Sequence, residues 1–167
     1  MEQVKWVDRK FPFGYDKGYI PLFIERLNST ASRLEELLKN MDEKSAGAKH
    51  GDEWSVKEHA GHLTDLESLH DGRVDDIIAG IPILRAADMT NKETYSANHN
   101  DQTIPELLSR FRNRRNQFIK RLELLDAKYF ERKALHPRLQ EMVTLTDLLF
   151  FMAEHDNHHL AKIAGRL

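Results

Sequence analysis

The chain has 167 residues, about one domain's worth, with 40% apolar and 31% charged residues, a balance that carries no disorder signature. With 25 basic against 27 acidic residues the formal net charge is −2, which argues against a broadly basic nucleic-acid-binding surface. There is no cysteine, so disulfides, zinc–thiolate sites, iron–sulfur clusters and a cysteine nucleophile are excluded, and any metal must be held by nitrogen and oxygen.

The N-terminal MEQVKWVDRK lacks an apolar signal core. No run approaches the ~18 apolar residues that a membrane span needs, so a cytoplasmic, membrane-free protein is expected. The first helical pattern runs through Phe23, Leu27, Thr30, Leu34, Leu37, Leu38 and Met41 at three- and four-residue steps, and Pro21 suits its opening turn. The second opens on Ser55-Val-Lys-Glu58, a capping box in which Ser55 and Glu58 satisfy each other's free backbone N–H groups. Its apolar face continues through Val56, Leu63, Leu66, Leu69, Val74, Ile77 and Ile78 until Gly80-Ile-Pro82 stops it.

Ile81 to Gln102 shows no clear periodicity, and a connection of that length is usually functional or a crossover. A crossover makes the helices on either side parallel. Thr103-Ile-Pro-Glu106 is a second capping box, leading into Leu107, Leu108, Phe111, Phe118, Ile119, Leu122 and Leu125. Arg110, Arg112, Arg114 and Arg115 flank the phenylalanines there and read as a solvated helix face. Lys128–Val143, with His136-Pro137, reads as a segment folding across one end. The last helix begins near Thr144-Leu-Thr-Asp147, carries Leu145, Leu148, Leu149, Met152, His155, His159 and Ile163, and ends near Gly165. Strand-type alternation is nearly absent. The expectation is an all-α four-helix bundle forming one domain over residues 1–167.

Nine histidines placed at random in this length give roughly half an i,i+4 pair, so HDNHH at 155–159 is weak evidence by spacing alone. Helix geometry adds more. At about 100° per residue His159 falls among Leu148, Met152 and Ile163, with His155 about 40° away on the same side, while His158 turns toward the rim or solvent. Two imidazoles aimed into a core are costly unless their nitrogens are satisfied, and sharing a metal satisfies both. His62 stands on the apolar face of the second helix, beside Gly61, which would let a neighbouring helix approach closely. His62, His155 and His159 are therefore the candidate metal ligands, and three protein ligands with an open position suit a catalytic ion. Satisfied core histidines are the competing reading. His59, one turn before His62, is the rival ligand. His70 and Arg73 lie too far along the axis to share the ion. His50, His99 and His136 fall in connections, where solvated histidine is ordinary, with reach into the site from a folded-back loop as the lesser alternative for His136. Trp54 reads as a packing anchor rather than a substrate platform. Glu58, Asp65, Glu67 and Asp156 read mostly as helix surface, although one of them could orient a ligand's second nitrogen.

Trp54-Ser-Val-Lys-Glu58 leading into Gly61-His62-Leu63, the later Arg73, His136-Pro137 before Thr144-Leu145, and His155-Asp156 with His159-Leu160 resemble the DinB-like superfamily, which includes YfiT-type hydrolases. The resemblance spans essentially the whole chain. It implies an up-down-down-up four-helix bundle, a metal held by His62, His155 and His159, zinc or nickel as that metal, and a homodimer. It also implies hydrolysis, transfer of low-molecular-weight thiols, or isomerisation, on a small-molecule substrate that the motifs do not specify. One position departs from the pattern: Leu139-Gln140 stand where a glycine is expected after His136-Pro137-Arg138.

The residues themselves lead to a metal-dependent enzyme, because a divalent cation on neutral imidazoles keeps its full charge and acidifies water or thiol. The absence of a ligand carboxylate argues mildly against oxygen-activating iron. The contrasting expectation is a non-catalytic bundle, with a structural or stress-response role, whose metal ties the second and fourth helices together through a closed fourth ligand such as His59.

Overall fold

The computed structural model describes residues 3–167. Its long helices are α1 (Ile20–Leu38), α3 (Val56–Asp65), α4 (Glu67–Ala79), α6 (Ile104–Glu123) and α7 (Leu145–Ala164). Short helices α2 (Glu43–Gly47) and α5 (Lys92–Ser96) lie in the connections. The expected second helix is thus α3 followed by α4, meeting at Leu66, whose backbone stays in the right-handed helical region. All three capping boxes form: Ser55 with Glu58, Thr103 with Glu106 and Thr144 with Asp147. The Thr144 box has a second task, since Asp147 Oδ1 also accepts from the backbone N–H groups of Gly14 and Tyr15, tying the N-terminal segment to α7.

Ion pairs and hydrogen bonds fix the helix directions. Arg26, Thr30 and Arg33 of α1 meet Glu154, Asp156 and Asn157 of α7, so these two run parallel. Glu67 and Asp71 of α4 meet Arg115 and Arg121 of α6, so these also run parallel. Glu35 and Leu27 of α1 meet Arg112 and Arg115, which makes α1 and α6 antiparallel. The order is up-down-down-up, and the 81–102 connection is the crossover that this course requires.

Two apolar clusters fill the bundle. One gathers Phe23, Leu27, Val74, Ile77, Phe118, Leu122 and Leu149, the other Ala31, Leu34, Leu38, Leu63, Phe111, Leu160 and Ile163. A polar layer separates them. Arg115, 1% exposed, spends all five N–H groups on Glu67 Oε1, Asp156 and the Leu27 carbonyl, and Thr30 Oγ1 donates to Asp156 at 2.7 Å. The expectation that Arg115, Glu67 and Asp156 sit on the surface is therefore corrected. Arg115 lies one turn after Phe111 and three residues before Phe118, inside the stripe that its charged neighbours conceal. Burial opposes the guanidinium charge, but Asp156 and Glu67 outweigh it and raise its pKa above the ordinary value.

The expected near-absence of strands is amended by a small antiparallel hairpin, β1 (Lys133–His136) with β2 (Glu141–Thr144). Leu135 also exchanges backbone hydrogen bonds with Pro82 and Leu84 of the crossover. In its turn Gln140 adopts φ 55°, the left-handed conformation for which glycine is usual. The departure from the family pattern is therefore met by strain at one residue, with the turn closed by Gln140 N–H donating to the His136 carbonyl at 2.9 Å. Among the described residues no helix is long and apolar enough to cross a membrane.

Candidate metal centre

α3 and α7 pack antiparallel, and the two faces that meet carry imidazoles. His62, His155 and His159 are 5%, 7% and 6% exposed, and each offers a nitrogen within 4.8 Å of the others'. His155 Nε2 and His159 Nε2 stand 3.1 Å apart. Two ligand nitrogens each ~2.0–2.1 Å from a tetrahedral ion stand ~3.3 Å apart, so the pair is spaced for a shared cation. Burial, followed by neighbouring imidazoles, drives the pKa of His155 and His159 well below the ordinary value. Burial brings His62 to about 4 although the Asp65 charge opposes it. All three are neutral at pH 7, the protonation state in which a histidine can bind a metal.

The outer nitrogens are held from behind. His62 Nδ1 lies 2.9 Å from Thr94 Oγ1, and Thr94 donates its single proton to Asp65 Oδ2 at 2.8 Å. Thr94 must therefore accept from His62 Nδ1–H, which leaves His62 Nε2 with a free lone pair. His99 Nε2 meets the same carboxylate oxygen at 2.9 Å. This Asp65–Thr94–His62 chain is the hydrogen-bonded support that orients metal-binding imidazoles elsewhere. Thr94 and His99 come from the crossover, which therefore packs against the histidine cluster. His99, 2% exposed, corrects the expectation of a solvated side chain. Its ring lies against Gly61, where a Cβ would come within 2.3 Å, so the glycine admits His99 rather than a neighbouring helix.

His59 Nδ1 contacts His159 Nδ1 at 2.9 Å, on the side of the ring away from His155. The structure thus places the rival ligand behind His159. The cluster opens onto a cavity of about 520 Å³ lined by Trp6, Trp54, Leu66, Leu69, Phe151 and other side chains. Trp54 stacks on His159 at 6.0 Å between ring centroids, in keeping with a packing anchor, and also faces the cavity. His70 lines the same cavity but stands outside the three-histidine group. His158 lies at the cavity wall with Gln3 Nε2 3.0 Å from its Nδ1, and His50 is exposed. His136, expected to be solvated, is 2% exposed and joins the wall. Trp6, which the sequence did not single out, packs edge-on against His155 at 4.9 Å and covers the site from the N-terminal segment. A lone tryptophan outside any periodic stripe offered only its size as a signal.

The donor set fits a divalent cation: three neutral nitrogens converge, two are backed by hydrogen-bond partners, and no buried carboxylate competes for the inner positions. No curated protein sequence matches this chain. Among solved structures it is similar to YfiT from Bacillus subtilis, described as a probable metal-dependent hydrolase with an unusual four-helix bundle topology. The two share 20% identity at a TM-score of 0.76, over 95% of this chain and 91% of that one. The DinB superfamily profile matches residues 26–163, and the chain belongs to the DinB superfamily.

Proposed function

We propose that the protein is a metal-dependent enzyme in which His62, His155 and His159 hold a divalent cation, zinc or nickel, and act on a small molecule by hydrolysis or thiol S-transfer. The observation that carries this reading is the convergence of three neutral imidazoles on the floor of a cavity large enough for a small-molecule substrate. A cation held there would supply Lewis-acid chemistry that acidifies a water or a thiol. The chain's own residues do the rest. Thr94 and Asp65 hold His62 in the tautomer that presents Nε2, His59 backs His159, and Trp6, Trp54 and Phe151 exclude bulk water. The likeness to YfiT supports the hydrolytic branch. A closed structural metal is disfavoured by His59, which is engaged behind His159.

Metal content of the purified protein and of His62→Ala, His155→Ala and His159→Ala variants tests the ligand set. Stoichiometric metal in the parent, lost in each variant, is expected; unchanged content in the variants defeats the assignment. Panels of small esters and amides, and of low-molecular-weight thiols with electrophilic acceptors, then separate the two reactions, with chelator-sensitive turnover in one panel as the expected result.

A further inference from the structure

One wall of the cavity has a chemistry that a cation centre alone does not explain. Arg73, only 4% exposed, donates Nε–H to the Arg85 carbonyl at 3.2 Å, and its other N–H groups have no partner among the described residues. The nearby carboxylate of Asp76 is already taken by Arg85, which bonds it through both Nε and Nη2. Arg138 lies over the rings of Trp6 and Phe151 at 6.0 and 5.7 Å, and its buried Nη2 has no partner among the described residues. His136 Nδ1 accepts from Leu139 N–H at 3.3 Å, so the proton resides on Nε2, which is buried and unpartnered. All three side chains line the cavity that contains the candidate ligands. Burial and the Arg138 charge lower the Arg73 pKa to about 10, as expected of a cation whose pairing is incomplete. A buried charge left uncompensated is costly, and a buried donor without an acceptor adds to the cost.

We infer that Arg73, Arg138 and His136 Nε2–H form a subsite for an oxyanion, the carboxylate or phosphate terminus of the substrate whose reacting group lies at the histidine cluster. This deepens the functional reading above and rests on it only for that second end. Two guanidinium groups and a neutral N–H donor offer charge and several donors to one oxyanion, and the apolar lining between suits a hydrocarbon middle. Asp88 at the cavity mouth does not compete, because its oxygens accept from Thr90 and Lys92.

The chain's two tryptophans, Trp6 and Trp54, both line this cavity, so intrinsic fluorescence reports on its occupancy. The purified protein is titrated with 3-phenylpropanoate, with 2-phenylethyl phosphate and with the neutral 3-phenylpropanamide, each in excess chelator and again with zinc restored. Saturable binding of an anionic probe in chelator, with the amide at least ~10-fold weaker, is the expected result. Arg138→Gln, in a half-exposed turn, and Arg73→Gln should each weaken the anion at least ~10-fold while leaving the amide unchanged. The tighter of the two anions identifies the terminus as carboxylate or phosphate. Equal affinity for anion and amide overturns the subsite, as does zinc-dependent binding indifferent to both arginine variants. Metal content, measured on the same samples, distinguishes the failures: anion binding without metal uptake defeats the metal reading alone.

Discussion

Two buried polar centres lie side by side in this bundle, and they are built on opposite principles. At the Arg115 layer every N–H of the guanidinium is used, and among the described residues only Glu67 Oε2 of the acceptors is left without a partner. At the histidine cluster the rings face one another with lone pairs to spare, and His155 Nδ1 has no partner among the described residues. The first centre is closed on itself by its own hydrogen bonds; the second forms the floor of a cavity. Saturation of hydrogen bonds separates a structural layer from a site with binding capacity left over.

Acid should reveal the difference most strongly. His59, His62 and His136 have pKa values held at about 3, 4 and 4, chiefly by burial, while His70, His155 and His159 lie well below their ordinary value. The folded state keeps these rings neutral while the unfolded chain protonates near 6.5, so the unfolded state binds more protons below that pH. Stability is therefore complete above about pH 6.5 and lost as pH falls toward 4, by up to about 1.4 kcal/mol per pH unit for each such group. Thermal melts across that window should show a steep fall. A flat profile would mean that the histidine centre is not packed as described.

The closed centre should respond to truncation instead. Arg115→Met leaves two carboxylates buried without their cation and should cost about 3–5 kcal/mol in denaturant unfolding. Asp156→Asn should be costly too, since Asp156 accepts from both Arg115 and Thr30, whereas Glu67→Gln should be mild, because burial already raises the Glu67 pKa against the pull of Arg115. Equal costs for the two carboxylate variants would break the asymmetry. At the open centre, zinc at a hundredfold excess over its dissociation constant should stabilise the parent by about 2.7 kcal/mol, and His159→Ala should abolish that shift in a thermal scan. The smallest expected effect is that of Thr94→Val, which removes the support behind His62. It should weaken metal binding about 10-fold, measured by chelator competition, with stability nearly unchanged.

Much of this was legible in the sequence. Capping boxes and apolar stripes located the helices because both signals are local. The three histidines could be proposed as partners because each sits on a face that the helical period defines. The polar layer was hidden for a different reason: Arg115 stands among Arg110, Arg112 and Arg114, and composition averages over a helix while packing selects one side of it. Reading the positions 111, 115, 118 and 122 as one stripe would have exposed it, and so would the matching place of Asp156 between Ala153 and Leu160. Thr94, His99 and Trp6 were beyond such reading, since irregular segments have no period from which to infer where a side chain points. The hairpin escaped because two four-residue strands each bury at most two side chains.

His155 and Asp156 are consecutive in the chain yet serve different centres. The ionic grip on Asp156 acts as a keyway for α7, setting the azimuth at which the helix seats. Advancing that helix by one residue, about 100°, would bring an imidazole onto Arg115 and swing a carboxylate toward the cavity. The aim of the imidazoles is thus indexed by a lock one peptide bond away, and loosening the lock should blur the aim without touching a ligand.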